Sequence, residues 1–342
     1  MQRSSKLMRK TLTMLLILFA GTSAAAGKEL KIYFIDVEGG QSTLIVSPTG
    51  ESILVDTGWP GNGGRDADRI VAAAKDAGLT QIDYVVLTHY HMDHTGGVPQ
   101  LAEKIKIGKF VDHGASVETD GNTPEIFAAY KKVAGDRQMT VKPGDFIPTK
   151  GMKVEVMTAA GQHISAALPG AGQANPLCGS EPAAEVDPSE NAQSLGILVT
   201  FGKFRFLDLG DLTKKKEVEL VCPNNLVGTV DLFLMEHHGG DTSNPKALVH
   251  ALHPRASVME TGAKKGGDAA AWQIAHDAPG NPEVWQLHYA IAAGKEHNSK
   301  EELIANVEEK CEGKFIKATA SADGTFTLLN SRNGFSKTYE KK

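Results

Sequence analysis

Short runs of alternating or clustered apolar side chains set the pattern from Leu30 onward. Residues 30–36, 42–46 and 52–56 each read as a β-strand, because successive side chains of an extended chain face opposite sides. Residues 66–77 then take the helical period, with Ile70, Val71 and Ala74 on one face, Asp66 where a cap belongs and Gly78 at the stop. An apolar strand over 84–88 runs into a histidine cluster. After it come a helix from Val98, a strand ending near Val111 and a helix over 124–133. The second half repeats the style, with strands at 153–157, 194–200, 204–209, 231–234 and 256–259. Ser299 and Glu302 have capping-box spacing, which predicts a late helix to Cys311, and the segments 315–319 and 324–329 around Asp323 and Gly324 read as a hairpin. Strands and helices interleave throughout, so the fold class is α/β.

Between the strands at 153–157 and 194–200 lies a stretch, 161–190, rich in Gly, Ala and Pro and without periodicity. A loop of that length in a compact domain is usually functional, and it is read here as a flap beside the active site.

The first thirty residues follow a different logic. Arg3, Lys6, Arg9 and Lys10 precede an apolar run from Leu12 to Ala20 and a small-residue stretch ending at Ala26, the build of a secretory signal. The run is roughly half the ~20 residues needed to cross a bilayer, so cleavage near Ala26 and release as a periplasmic or secreted protein is expected. Residues 27–342 would then form one hydrolase domain, with an extension after about residue 260. Losing the four cations takes the formal charge from −5 to −9. An acidic surface repels polyphosphate, which argues against a dedicated nucleic-acid-binding surface but not against a small molecule or a short phosphodiester held by metal ions. Lys214, Lys215 and Lys216 read as a solvated turn. Cys178, Cys222 and Cys311 allow one disulfide and leave one thiol, with the pairing open.

The candidate chemistry is concentrated in Thr88-His89-Tyr-His91-Met-Asp93-His94-Thr-Gly-Gly. Residues two apart on extended chain share a face, so His89 and His91 can address one metal ion. Asp93 and His94, past the turn into the next helix, can address a second ion ~3.5–4 Å away. Phe206-Leu-Asp208-Leu-Gly-Asp211 at a strand end offers a carboxylate to bridge both ions. Asp211 is the choice, and Asp208 is placed within the strand by its alternation. Met235-Glu-His237-His238-Gly-Gly, at another strand end, supplies further imidazoles. His288 and His297 read as packed or surface residues.

These motifs, together with the Asp56-Thr57-Gly58 turn, fall in the order found in the metallo-β-lactamase superfamily, and the chain resembles that family from Leu30 to about Met259. Within it, Phe34-Ile-Asp36-Val, Asn191-x-x-Ser194 and His-His-Gly followed by Ser243 look most like the hydrolase domain of ComEC-type proteins. The departures are Glu38 and Gln41, where that branch usually has glycine and aspartate, and Gly240 where it has serine. Asn191 stands where lactamases place a third histidine on the first metal, with His163 as a possible substitute. Nothing in the chain points to DNA uptake.

The resemblance implies a four-layer αββα sandwich with the metals at one edge. It also implies two divalent ions, zinc by donor type with manganese or iron possible. His89, His91, Asp93, His94, Asp211 and His237 would be the metal ligands. Asp93 and His238 would be the catalytic pair, His238 as proton donor, and Asn191, Ser194, His113 and Ser243 would line the substrate site, His113 at the cleft rim. Two cations lower the pKa of a shared water toward ~7, and a two-metal clamp suits in-line attack at phosphorus, so phosphodiester hydrolysis is expected. The alternatives are hydrolysis of an ester, lactone or thioester, and a catalytically inactive metal-binding module.

Overall fold

The computed structural model describes residues 29–179, 186–280 and 282–341. The expected signal segment, residues 1–26, lies outside the described residues. Two large sheets take the strands in turn. The first begins with β1 (Leu30–Phe34), β2 (Thr43–Val46), β3 (Ser52–Val55), β4 (Gln81–Val86), β5 (Lys106–Asp112) and β6 (Gln138–Thr140). The chain then builds the second from β7 (Phe146–Ile147), β8 (Lys153–Ala159), β9 (Gln162–His163), β10 (Gly196–Phe201), β11 (Phe204–Asp208), β12 (Leu232–Leu234), β13 (Ala256–Met259), β14 (Glu283–His288) and β15 (Ile304–Asn306). It returns to the first with β16 (Ile316–Ala320), β17 (Phe326–Asn330) and β18 (Ser336–Tyr339), β16 pairing antiparallel with β1. Residues beyond 260 therefore complete both sheets.

The alternation seen in the sequence sorts side chains into three apolar layers. Ile32 and Phe34 of β1, Phe204 and Phe206 of β11 and Trp285 of β14 meet between the sheets. Tyr33 and Ile35 face outward under α1 (Arg65–Asp76), which follows β3, and α3 (Val98–Lys104) and α4 (Thr123–Ala134), which flank β5; a single helical turn, α2 (Met92–Thr95), precedes α3. Leu207 and Leu209 lie under α5 (Lys214–Val221), α6 (Lys246–Leu252) and α7 (Ala269–His276) on the opposite outside. Burying one stripe of each helix on the outer face of a sheet gives the expected αββα sandwich. Among the described residues no helix is long and apolar enough to cross a membrane.

Several local expectations change. Gly64, not Asp66, occupies the N-cap of α1, because the Asp66 carboxylate accepts the Trp59 N–H at 2.9 Å. Lys214, Lys215 and Lys216 open α5 and do not form a turn. The late helix from Ser299 is absent. Ser299 Oγ donates to Val284 O and accepts from Trp272 Nε1, so it has no capping role, and the chain extends into β15. The described part of the 161–190 loop is not a flap up to residue 179. It is laced to residues 220–226 by backbone hydrogen bonds from Leu168, Gly172 and Asn175 and by the Cys178–Cys222 disulfide, which leaves Cys311 free.

Candidate metal centre

The edge where β3, β4, β11 and β12 end gathers the polar residues. After β4 the chain bends at Thr88, passes His89, is extended at His91 (φ −69, ψ 157) and turns into α2, which carries Asp93 and His94. The Asp56-Thr57-Gly58 turn clamps this loop: Thr57 N and Oγ1 both donate to His94 O, at 2.7 and 2.9 Å. The approach is close enough that a Cβ on Gly97 would lie 2.1 Å from Thr57 O. From the second sheet, Gly210 (φ 66) turns Asp211 inward, and His237 and His238 follow β12 with φ of 53 and 56. Two successive left-handed residues are unusual for side chains of this size, and here they aim both rings at Asp211.

The ligating atoms of Asp93, His94, Asp211 and His238 all lie within 4.8 Å of one another. Asp211 Oδ2 is 3.1 Å from His94 Nε2, 3.4 Å from His238 Nε2, 3.4 Å from His237 Nε2 and 4.0 Å from His89 Nε2. His238 Nε2 also stands 3.1 Å from Asp93 Oδ2. The bridging position read for Asp211 is thus where four imidazoles converge. Of the histidine pair, the expected ligand is His237 and the expected proton donor His238; it is His238, buried, that completes the four-residue group. His237 stays partly exposed beside it, its Nδ1 2.7 Å from Thr242 Oγ1.

Hydrogen bonding fixes which nitrogen each ring offers. Asp56 accepts from Thr88 N and Thr88 Oγ1 at 2.9 and 2.6 Å and takes His94 Nδ1 at 2.7 Å. His94 therefore carries its proton on Nδ1 and presents Nε2. Thr88, its only proton spent on Asp56, accepts from His89 Nδ1 at 3.0 Å, so His89 too presents Nε2. His91 is oriented by Glu118, 3.0 Å from its Nε2.

A metal fits these donors. His89 Nε2 and Asp211 Oδ1 are buried without a protein partner, a cost that native structures rarely leave unmet. Burial alone would raise the Asp211 carboxyl, but His94, His238 and His237 hold it well below the carboxylate range. Burial works against a charged His94, yet Asp211, Asp93 and Asp56 lift it well above the ordinary imidazole value. His89 is driven well below that value by burial and by His94.

The remaining expected residues divide. Asn191, on the short turn that also carries Glu190, has a buried and unpartnered Oδ1. Ser194 Oγ is likewise buried and unpartnered, while Ser194 O accepts from Thr158. His113 is corrected from rim to interior: it is 5% exposed, 3.1 Å from Glu190 Oε2 and packed on Tyr90. Ser243 is corrected from substrate contact to loop brace, since it is buried and donates to Leu212 O. His163 lies on β9 with Nδ1 bonded to Ile164 O, outside the four-residue group. Asp208 is no ligand. Burial pushes its carboxyl up to about 7, and Gln41 Nε2 donates to both its oxygens.

Three residues that contact the candidate ligands or brace their loop carry no sequence signal: Glu118, Glu190 and Lys265. Glu190 is buried and ties the 113–117 loop under the metal loop through Ser116, Val117, His113 and Tyr90 N. Lys265, from the loop after β13, contacts Asp93 Oδ2 and lies 4.9 Å over the Trp59 ring.

Residues 35–176 match the model of the metallo-beta-lactamase superfamily. ComE operon protein 3 of Bacillus subtilis is 22% identical over 249 residues, 68% of this chain and 28% of the relative. Recombination protein 2 of Haemophilus influenzae is 24% identical over 230 residues, 67% of this chain and 24% of the relative. The chain thus spans about a quarter of the length of these curated relatives. A UPF0173 metal-dependent hydrolase of Staphylococcus saprophyticus is 37% identical over 102 residues, 30% of this chain and 38% of that protein. The crystal structure of the metallo-beta-lactamase fold protein YhfI from Bacillus subtilis superimposes with a TM-score of 0.47 at 12% identity, over 76% of this chain and 96% of that one. With the two-sheet sandwich and the convergent imidazoles and carboxylates in place, residues 35–176 match a metallo-beta-lactamase superfamily domain, and the chain carries a candidate centre for metal-dependent hydrolysis.

Proposed function

We propose that this hydrolase is exported and cleaves phosphodiesters of small or short substrates. The observation that carries the substrate class is Lys265. In an acidic protein, its ammonium stands at the rim of the centre, partly exposed, braced on Trp59 and against Asp93. Asp93, His94, Asp211 and His238 would hold one divalent ion, and His89, His91 and Asp211 the other, with zinc suiting the donors and manganese or iron admissible. When bound, such a pair supplies Lewis acidity and makes a bound water acidic enough to be a nucleophile at neutral pH. Lys265 would orient an anionic phosphoryl oxygen. His237, partly exposed and fixed through Thr242, would hold a proton for the leaving oxygen. Export accords with the signal-like first residues and with a Cys178–Cys222 disulfide, which persists in oxidising compartments.

The test uses protein lacking residues 1–26, assayed on bis-p-nitrophenyl phosphate and p-nitrophenyl acetate with and without chelator. Expected are chelator-sensitive phosphodiester cleavage and a KM raised about 10-fold or more by Lys265→Ala, the loss of one charge-assisted hydrogen bond. Cleavage of the acetate alone would move the reading to carbonyl esters. Two bound ions with no turnover of either would make it an inactive metal-binding module.

A further inference from the structure

A second group of metal-type donors lies apart from the centre built on Asp211. Asp36 and Glu38 follow β1, His288 ends β14, and Cys311 sits between β15 and β16; their donor atoms all fall within 4.8 Å of one another. Cys311 Sγ is 3.1 Å from Asp36 Oδ2, 3.3 Å from Glu38 Oε1 and 3.9 Å from His288 Nε2. His288 Nε2 is 2.8 Å from Asp36 Oδ1 and 4.0 Å from Glu38 Oε2. Donors on a tetrahedral zinc ion, at ~2.0–2.3 Å from the metal, are ~3.3–3.8 Å apart, so small side-chain movements suffice. We propose that Asp36, Glu38, His288 and Cys311 form a separate, sulfur-containing site for one divalent transition metal of the zinc class.

The reason lies in proton counting. The Cys311 thiol has one proton, yet its sulfur touches two carboxylates, so one contact sets a sulfur lone pair against an anionic oxygen. A metal ion takes the thiol's place as the positive partner: the S–H bond breaks, the proton leaves to solvent and an S–metal bond forms. Arg69, from α1, reaches Asp36 Oδ2 at 2.9 Å, Glu38 Oε1 at 3.2 Å and Cys311 Sγ at 3.5 Å from one side. With it, a divalent ion balances the three negative charges of two carboxylates and a thiolate. Sulfur and imidazole select zinc-like ions over magnesium or calcium. Asp36 and His288 are fully buried while Glu38 and Cys311 are partly exposed, which provides an entry path. The site would pin the 307–315 loop to the turn whose Gln41 N–H donates to Asp93 O, and so stiffen the support of the hydrolytic centre.

Cobalt(II) titration of the demetallated protein tests this directly. The Asp211 centre has no sulfur donor and Cys178 and Cys222 are bonded to each other, so a near-ultraviolet thiolate-to-cobalt charge-transfer band reports Cys311 alone. Expected are a band that saturates at one ion per chain, its complete loss in Cys311→Ser, and its weakening in His288→Ala, with cobalt still bound at the sulfur-free centre in both variants. Zinc should also slow the reaction of Cys311 with a thiol reagent, and chelator should restore it. Cobalt bound without any thiolate band, or no cobalt bound at all to folded protein, would overturn the proposal and leave an ion-pair network around Arg69. Phosphodiester turnover is read separately, so failure of either proposal is visible by itself.

Discussion

Asp56→Asn isolates the part played by orientation in the metal centre. Asp56 is not one of the converging donors; its Oδ2 takes His94 Nδ1 at 2.7 Å and Thr88 Oγ1 at 2.6 Å, and its Oδ1 takes Thr88 N at 2.9 Å. An amide cannot serve all three. With its NH2 toward His94 it drives the imidazole proton to Nε2, the nitrogen the metal needs. With its oxygen toward His94 it sets NH2 against the Thr88 N–H. The backbone is not the confounder, because Asp56 has φ 60 and asparagine accepts that conformation well. Loss of such an orienting carboxylate costs about 10–100-fold in metal affinity, or about 1.4–2.7 kcal/mol at ~1.4 kcal/mol per tenfold. Competition with a chromophoric chelator measures the affinity, and far-ultraviolet circular dichroism verifies the fold. A folded variant that binds zinc within about threefold of the parent would refute the tautomer argument.

Asp211→Ala should lose most bound metal and all turnover while staying folded, and elemental analysis showing unchanged metal would remove Asp211 from the bridging position. The Cys178–Cys222 bond spans 44 residues of sequence, so the double Cys→Ser variant should unfold more easily by up to about 4 kcal/mol in a urea titration; an unchanged midpoint and slope would show that the link constrains little. Glu260 is raised well above the carboxylate range by burial and by nearby Asp208 and Asp56. The folded state thus binds its proton more tightly than the unfolded chain, and its stability contribution, complete below about pH 4 to 5, is lost as pH rises through the folded value. Glu260→Gln in demetallated protein should therefore gain thermal stability over the parent as pH goes from 5 to 8, and a gap independent of pH would contradict the sign.

The fold was legible where periodicity is local. The alternation in β1 and β11 separates Ile32, Phe34, Phe204 and Phe206 from Tyr33 and Leu207, as the two faces of each sheet require. The late helix failed because Ser299 met Trp272 and Val284, partners remote in sequence, before it could cap anything. Glu118 and Lys265 escaped notice for the same reason: 27 residues separate Glu118 from His91 and 172 separate Lys265 from Asp93.

By itself the sequence determined the strand and helix alternation and the cluster from His89 to His94, because a strand running into a helix fixes the directions of side chains a few residues apart. It also singled out Asp211 and the His237-His238 pair as strand-end donors. Only the tertiary structure decided that His238 and not His237 completes the four-residue group, that Cys178 pairs with Cys222, and that His113 is interior. It alone brought His288 to Asp36 across 252 residues and folded the chain beyond 260 into both sheets. Those outcomes depend on strand register and on the packing of one sheet against the other, which no spacing within a single segment encodes.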